Sequence, residues 1–155
     1  RKVADMLQKL NIREFTKSRP RRSNDNALVE SKNGTVIRRQ LGYSPIPQRF
    51  ADPVNTFHRE ALSPYLNYHR PCYFPTVTLD ERGKQLRKYH YEDIQTPYER
   101  LKSLPNAAQY LRAEISFEQL DELAYAISDN EAARQLSEAR QELFKLINGS
   151  QRTVA

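Results

Sequence analysis

The sequence predicts a mainly α-helical chain with a minor β component, an α+β class. Four segments repeat apolar residues three and four positions apart, which is the spacing of one helix face: 1–11, 54–68, 116–128 and 130–148. Residues 71–92 instead place Phe, Val and Leu among charged and aromatic residues, which favours extended structure. A chain of 155 residues can bury one moderate core, or one small core with an appendage.

Three elements are predicted in the first forty or so residues. Residues 1–11 predict a helix, and residues 12–16 predict a short strand. A second helix should extend from about Asn26 to Leu41, because several N-cap candidates precede it and Gly42 can end it.

The middle of the chain predicts a long helix followed by an extended segment. The apolar spacing of residues 54–68 is helical, but Pro64 lies inside this segment and predicts a kink or a split into two helices. Residues 71–92 predict either a short hairpin that turns near residues 80–83 or a mobile arm.

Capping residues locate the helices of the C-terminal part. Thr96, followed by Pro97, predicts the start of a short helix. Ser116 and Gln119 predict a capping box at the start of the next helix. The last helix should end at Gly149, and the last two helices should form an antiparallel hairpin.

Charge is unevenly distributed along the chain, whose net charge is +6. Residues 1–70 contain 14 basic and 6 acidic side chains, whereas residues 71–155 contain 11 basic and 13 acidic ones. A concentrated positive charge favours a polyanionic partner. We therefore expect the first half to contact nucleic acid and the second half to act as a scaffold or to contact protein.

Composition excludes several classes of protein. The single cysteine, Cys72, excludes an internal disulfide, and with only 3 His residues it excludes a zinc finger of the usual spacing. No apolar run reaches the roughly eighteen residues of a membrane-spanning helix, and no signal peptide is visible. We expect an intracellular protein without a membrane partner, in which His58 and His69 are structural.

The most specific functional pattern lies between Ser18 and Asn33. Ser18-Arg19-Pro20 and the run Asn24-Asp25-Asn26-Ala27-Leu28-Val29-Glu30-Ser31-Lys32-Asn33 resemble a pattern like S-R-P-x-x-x-N-D-N-A-x-V-E-x-x-N. In DDE-type transposases and integrases, RNase H-like recombinases that use two Asp and one Glu, such a pattern closes the catalytic core. The resemblance continues through residues 57–68 and 96–101, so that it covers about the first hundred residues.

This resemblance implies that Glu30 is the third carboxylate of a metal site in the intact protein. The strands that carry the two Asp residues would precede Arg1, so we expect the C-terminal fragment of an RNase H-like core followed by a helical extension. The intact protein would cut and join DNA at mobile-element ends with Mg²⁺ or Mn²⁺. The fragment itself is expected to bind DNA without a bound metal and without catalysis, as a homo-oligomer associated with the nucleoid in the bacterial cytoplasm.

The resemblance, together with the predicted elements, divides the chain into three expected regions. Residues 1–70 would contain the end of the integrase-like catalytic core with its Glu-bearing helix. Residues 71–95 would form a basic extended linker or hairpin, and residues 96–155 a C-terminal helical region.

Nine basic or amide side chains are candidate DNA contacts, because such groups pair with phosphate oxygens and with the DNA end. They are Lys17, Arg19, Arg21, Arg22, Asn26, Lys32, Asn33, Arg38 and Arg39. Local explanations stay open for several of them. Asn26 can serve only as an N-cap, and Arg38 and Arg39 can complement the helix dipole. Glu30 can be an ordinary exposed helix residue that pairs with Lys32 or with a neighbouring Arg.

A second basic and aromatic segment, residues 82–91, can contact nucleic acid or can belong to an ordinary edge strand. The rival to the recombinase interpretation is a non-catalytic module that binds nucleic acid or another protein. Such a module would use its helices for a partner subunit and its basic half for nonspecific nucleic-acid contacts.

Overall fold

The computed structural model describes residues 5–7, 19, 21 and 27–152. These residues are mainly helical with a few short strands, which confirms the predicted class of mainly α with minor β. The chain divides into two compact units, unit 1 at residues 1–46 and unit 2 at residues 47–155. Residues 5–7 are helical. The rest of the first predicted helix and the strand at residues 12–16 lie outside the described residues.

Unit 1 contains a continuous helix over residues 27–41, here α1. It consists of an α-helical start at Ala27–Lys32, a wider π-helical turn at Asn33–Arg38 and a final α-helical turn at Arg39–Leu41. The helix ends where Gly42 adopts a φ of 77°. This left-handed conformation suits glycine because it has no Cβ, so the predicted termination is confirmed.

Unit 2 begins with a long helix over residues 48–69, here α2. It comprises Gln48–Phe50, Ala51–Phe57, the π-helical turns His58–Leu62 and Tyr65–His69, and the residues between them. The helix continues through Pro64, so the predicted split into two helices is wrong, whereas the alternative of a kink stays a prediction. Wider turns lie on both sides of Pro64, and they relieve the clash between a proline ring and the carbonyl group four residues earlier.

The strands of unit 2 form two small antiparallel pairs. Strand β1, Cys72–Tyr73, pairs with β4, Ile94–Gln95. Between them, β2, Thr76–Leu79, pairs with β3, Gln85–Lys88. The predicted hairpin is therefore confirmed as one of the two alternatives.

The turn of this hairpin depends on Asp80. Its carboxylate accepts hydrogen bonds from the backbone N–H groups of Arg82 at 2.9 Å and of Lys84 at 2.8 Å. Gly83 adopts a φ of 74°, which a residue with a side chain rarely adopts. The turn therefore lies where the sequence predicted it.

Three further helices follow: α3 at Pro97–Lys102, α4 at Phe117–Ala124 and α5 at Asp129–Arg152. Both predicted starts are confirmed, because Thr96 and Ser116 each form a capping box with the residue three positions later. α5 continues through Gly149, so the prediction that this glycine ends the helix is wrong. A glycine ends a helix only when it leaves the helical conformation, as Gly42 does and Gly149 does not.

The core of unit 2 lies between α2, α3 and α5. Its buried apolar side chains are Phe50, Phe57, Leu62, Tyr98, Ala107, Ala124, Ala132, Leu136, Leu143 and Ile147. The predicted hairpin between α4 and α5 is wrong, since α5 packs chiefly along α2. Within the part of the chain that the structure describes, no helix is both long enough and apolar enough to cross a membrane.

Candidate nucleic-acid interface

Helix α1 brings five of the candidate residues together on one element. The carboxylate of Glu30, the amide of Asn33 and the three cations Lys32, Arg38 and Arg39 are all exposed. No side chain of residues 33–41 is buried. These groups are therefore accessible to a large ligand such as a nucleic acid.

Arg38 has a defined environment at the end of α1. Its guanidinium carbon lies 5.3 Å from the centre of the Tyr43 ring, within the range of a cation–π interaction. Tyr43 is itself 82% exposed. The cation is thus held against an exposed aromatic face, a combination that can contact both a phosphate and an unstacked base.

The exposure of Glu30 agrees with the local alternative, an ordinary helix residue. The ion pairs between described residues, however, do not join Glu30 to Lys32 or to an Arg. In the described part of the chain, no three side chains of His, Cys, Asp or Glu come together as metal ligands. One carboxylate does not make a two-metal site, so the described residues do not fit the expected metal by themselves.

The remaining candidates precede α1 in the sequence. Arg19 and Arg21 are exposed, and Arg21 has a φ of 60°. Lys17, Arg22 and Asn26 lie outside the described residues, so their DNA contacts stay a prediction.

Unit 2 contains an apolar groove of about 900 Å³ between α2 and α5. Phe57, Tyr65, Tyr68 and Leu136 are among the residues that line it, together with carboxylates such as Glu60. Its character differs from that of α1, because it offers apolar contact area rather than positive charge.

A histidine–aspartate pair lies beside the groove. His69 is 5% exposed, and its Nδ1 lies 3.0 Å from Oδ1 of Asp129 at the first residue of α5. The pair joins the end of α2 to the start of α5. A buried His69 agrees with the structural role predicted for it, but sixty positions separate it from its partner, so the sequence contained no local indication of the pair.

A second polar network was also absent from the sequence-based expectations. The hydroxyl of Tyr98 donates a hydrogen bond to Oδ1 of Asp121 at 2.7 Å, and Nζ of Lys102 donates to Oδ2 at 2.6 Å. Burial and the bond to Asp121 raise the pKa of Tyr98. The bonds from Lys102 and Tyr98 lower the pKa of Asp121. This network ties α3 to α4 and has a structural role.

Comparison of the chain with protein-family models, with curated proteins and with solved structures finds no match. The functional assignment therefore depends on the sequence pattern around Glu30 and on the chemistry of the exposed side chains.

Proposed function

We propose that this chain is the C-terminal part of a DDE-type transposase or integrase and that it binds DNA. The observation that carries the proposal is the pattern around Glu30, which coincides with a helix whose cations are exposed. Charge supports it as well. Unit 1 contains 11 basic and 4 acidic side chains, a net charge of +7, whereas unit 2 contains 14 basic and 15 acidic ones.

In the intact protein, Glu30 would be the third metal-binding carboxylate of an RNase H-like core. Mg²⁺ or Mn²⁺ would there assist the cutting and joining of DNA at mobile-element ends. The described residues hold one of the required carboxylates, so we assign the isolated chain no catalytic step. Its own contribution would be to bind and position DNA, as a homo-oligomer associated with the bacterial nucleoid.

DNA binding is tested with a fluorescein-labelled duplex of mixed sequence and fluorescence anisotropy over a series of salt concentrations. The variant R38Q/R39Q removes two exposed cations of α1. If both contact phosphates, the slope of log K against log salt should become shallower by about 1.8, because each contact contributes about 0.9.

The matched control is R112Q/K145Q, which removes two exposed cations from unit 2. It should leave the salt slope unchanged. Equal effects of the two variants would mean that binding follows total charge, and the assignment of the interface to α1 would then be wrong.

The proposed metal-binding role of Glu30 in the intact protein is tested separately, by the sequence of the gene. The coding sequence upstream of Arg1 should specify strands that carry two Asp residues. In a protein that includes them, Glu30→Gln should abolish strand transfer and leave duplex affinity intact, since it removes a ligand and not a phosphate contact. An upstream sequence without such residues would exclude a recombinase.

A non-catalytic interaction module is the second candidate, and the apolar groove of unit 2 favours it. A groove of about 900 Å³ that is lined by aromatic and aliphatic side chains, of which Leu123 and Leu146 are exposed, has the character of a protein-contact site. Under this alternative, unit 1 would still bind nucleic acid, but Glu30→Gln would have no functional consequence in any longer form of the protein.

A further inference from the structure

The hairpin formed by β2 and β3 extends its side chains into solvent on both faces. All eight strand residues are exposed. In the register of the pair, Val77 is opposite Arg87 and Leu79 is opposite Gln85. Because cross-strand partners share a face, these four side chains form one face of a two-stranded ribbon, residues 76–88.

Positive charge is concentrated on this ribbon. Its turn and second strand contain Arg82, Lys84, Arg87 and Lys88, and all four are exposed. Its acids are Asp80, whose carboxylate is occupied by backbone N–H groups of the turn, and Glu81. The ribbon therefore has a net charge of +2 within a unit whose other residues sum to −3.

We propose that the ribbon is a second DNA contact and that it enters the major groove of a duplex. The proposal rests on the DNA binding proposed above but places a contact on a different unit. Two paired strands lie about 4.8 Å apart, and the major groove, about 12 Å wide, admits such a ribbon.

The chemistry of the Val77 face fits the base edges of the major groove. Arg87 and Gln85 present the groups that pair with guanine and adenine, respectively, and Val77 and Leu79 present apolar surface to thymine methyl groups. Lys88, on the opposite face, is available to a phosphate.

Charge favours DNA over a second copy of the chain as the occupant. Edge-to-edge pairing of two ribbons through β3, the strand that contains Arg87 and Lys88, would bring these cations of the two copies into cross-strand positions. Like charges in cross-strand positions are destabilising, whereas a duplex neutralises them.

The first experiment uses the full chain and the duplex of mixed sequence. R87Q/K88Q should make the salt slope shallower by about 0.9, because Lys88 is the phosphate contact, and should weaken binding by about tenfold or more at roughly 100 mM salt. R112Q/K145Q should change neither quantity. R87K/K88R keeps both charges and should restore the slope.

The second experiment separates ribbon geometry from charge. Asp80→Asn and Asp80→Ala remove the same negative charge, but an Asn side chain can still accept the two backbone hydrogen bonds of the turn. If a preformed ribbon enters the groove, D80A should bind about five- to tenfold more weakly than D80N, because the loosened turn must be ordered on binding.

The outcomes distinguish this proposal from the proposed function. A slope that depends on Arg38 and Arg39 but not on Arg87 and Lys88 would overturn the ribbon contact and leave the DNA-binding function intact. Equal affinities of D80A and D80N would overturn groove insertion. A dimer in sedimentation that R87Q/K88Q alters without an effect on DNA affinity would assign the ribbon to a second copy instead. No binding of the duplex by the wild-type chain would overturn both proposals.

Discussion

Unit 1 and unit 2 differ in whether their charged side chains are bound by neighbouring residues. In the described part of unit 1, Lys32, Arg38 and Arg39 are exposed on a helix, and Glu30 has no ion-pair partner. In unit 2, many of the carboxylates are held by neighbours. Asp121 pairs with Lys102, Glu131 with Arg134, and Asp129 with His69.

The two units also differ in the burial of their apolar side chains. Every buried apolar side chain among the described residues lies in unit 2, from Phe50 to Ile147. Ion pairs that tie elements together serve a folded core, whereas cations without such partners are available to a polyanion. Stability and DNA binding should therefore respond to different substitutions.

The largest effect is expected from a core substitution in unit 2. Leu62 is 1% exposed, so Leu62→Ala should lower the free energy of unfolding by about 2–5 kcal/mol through lost burial and a cavity. Chemical denaturation measures this change. Leu79→Ala, at a side chain that is 68% exposed, is the control and should stay within about 0.5 kcal/mol of the wild type.

Leu62→Ala also tests whether stability and DNA binding are independent. Under conditions in which Leu62→Ala is still folded, it should bind the duplex with the affinity and salt slope of the wild type. A parallel loss of stability and DNA affinity would show that the buried core and the exposed cations do not separate these properties.

A smaller effect is expected from the hydroxyl of Tyr98. Tyr98→Phe keeps the ring against Tyr68 and Phe117 but removes the hydrogen bond to Asp121. The free energy of unfolding should fall by about 1–2 kcal/mol at neutral pH, since the acceptor is charged but partly exposed. Tyr91→Phe, at a side chain that is 86% exposed, should have no measurable effect.

The pH dependence of Tyr98→Phe adds a second measurement. Because the pKa of Tyr98 is raised in the folded protein, its stabilising contribution is complete below the ordinary pKa of 10.0 and is lost as the pH rises above it. Above pH 10, stability should therefore fall less steeply in Tyr98→Phe than in the wild type, by about 1.4 kcal/mol per pH unit. Parallel curves would contradict the raised pKa.

The predictable part of this fold is the part encoded over a few neighbouring residues. The helix starts at Thr96 and Ser116, the termination at Gly42 and the turn near residues 80–83 each depend on residues within four positions of one another. Local hydrogen bonding determines these features, so the sequence alone located them.

The features of the fold that were not predicted from the sequence depend on contacts between residues that are distant in sequence. The path of α5 along α2 and the pairing of His69 with Asp129 join residues that are far apart in sequence. Gly149 has the residue type that ends helices, but its local preference does not decide the end of α5. The functional interpretation of Glu30 came from a sequence pattern, and the described structure adds its exposure but no partner ligands.

The smallest effect is expected at the start of α5, where Glu131 shows how unit 2 holds a carboxylate. Arg134 donates two hydrogen bonds to it, at 2.6 and 2.9 Å, and Gln135 donates a third at 2.8 Å. The bonds from Arg134, followed by the bond from Gln135, lower the pKa of Glu131 to about 2. The stabilising contribution is therefore complete above the ordinary pKa of 4.5 and is lost as the pH falls towards 2.

Glu131→Gln should accordingly lower the free energy of unfolding slightly at neutral pH, because solvent screens exposed ion pairs, and it should flatten the decline of stability between about pH 4.5 and pH 2 by the same small amount. Glu122→Gln removes the same charge from an exposed carboxylate of α4 and is the matched control. Acid denaturation followed by circular dichroism measures both. If stability falls equally in the two variants as the pH is lowered, the bonds around Glu131 do not hold its charge. The contrast with Glu30, which has no ion-pair partner among the described residues, is then lost.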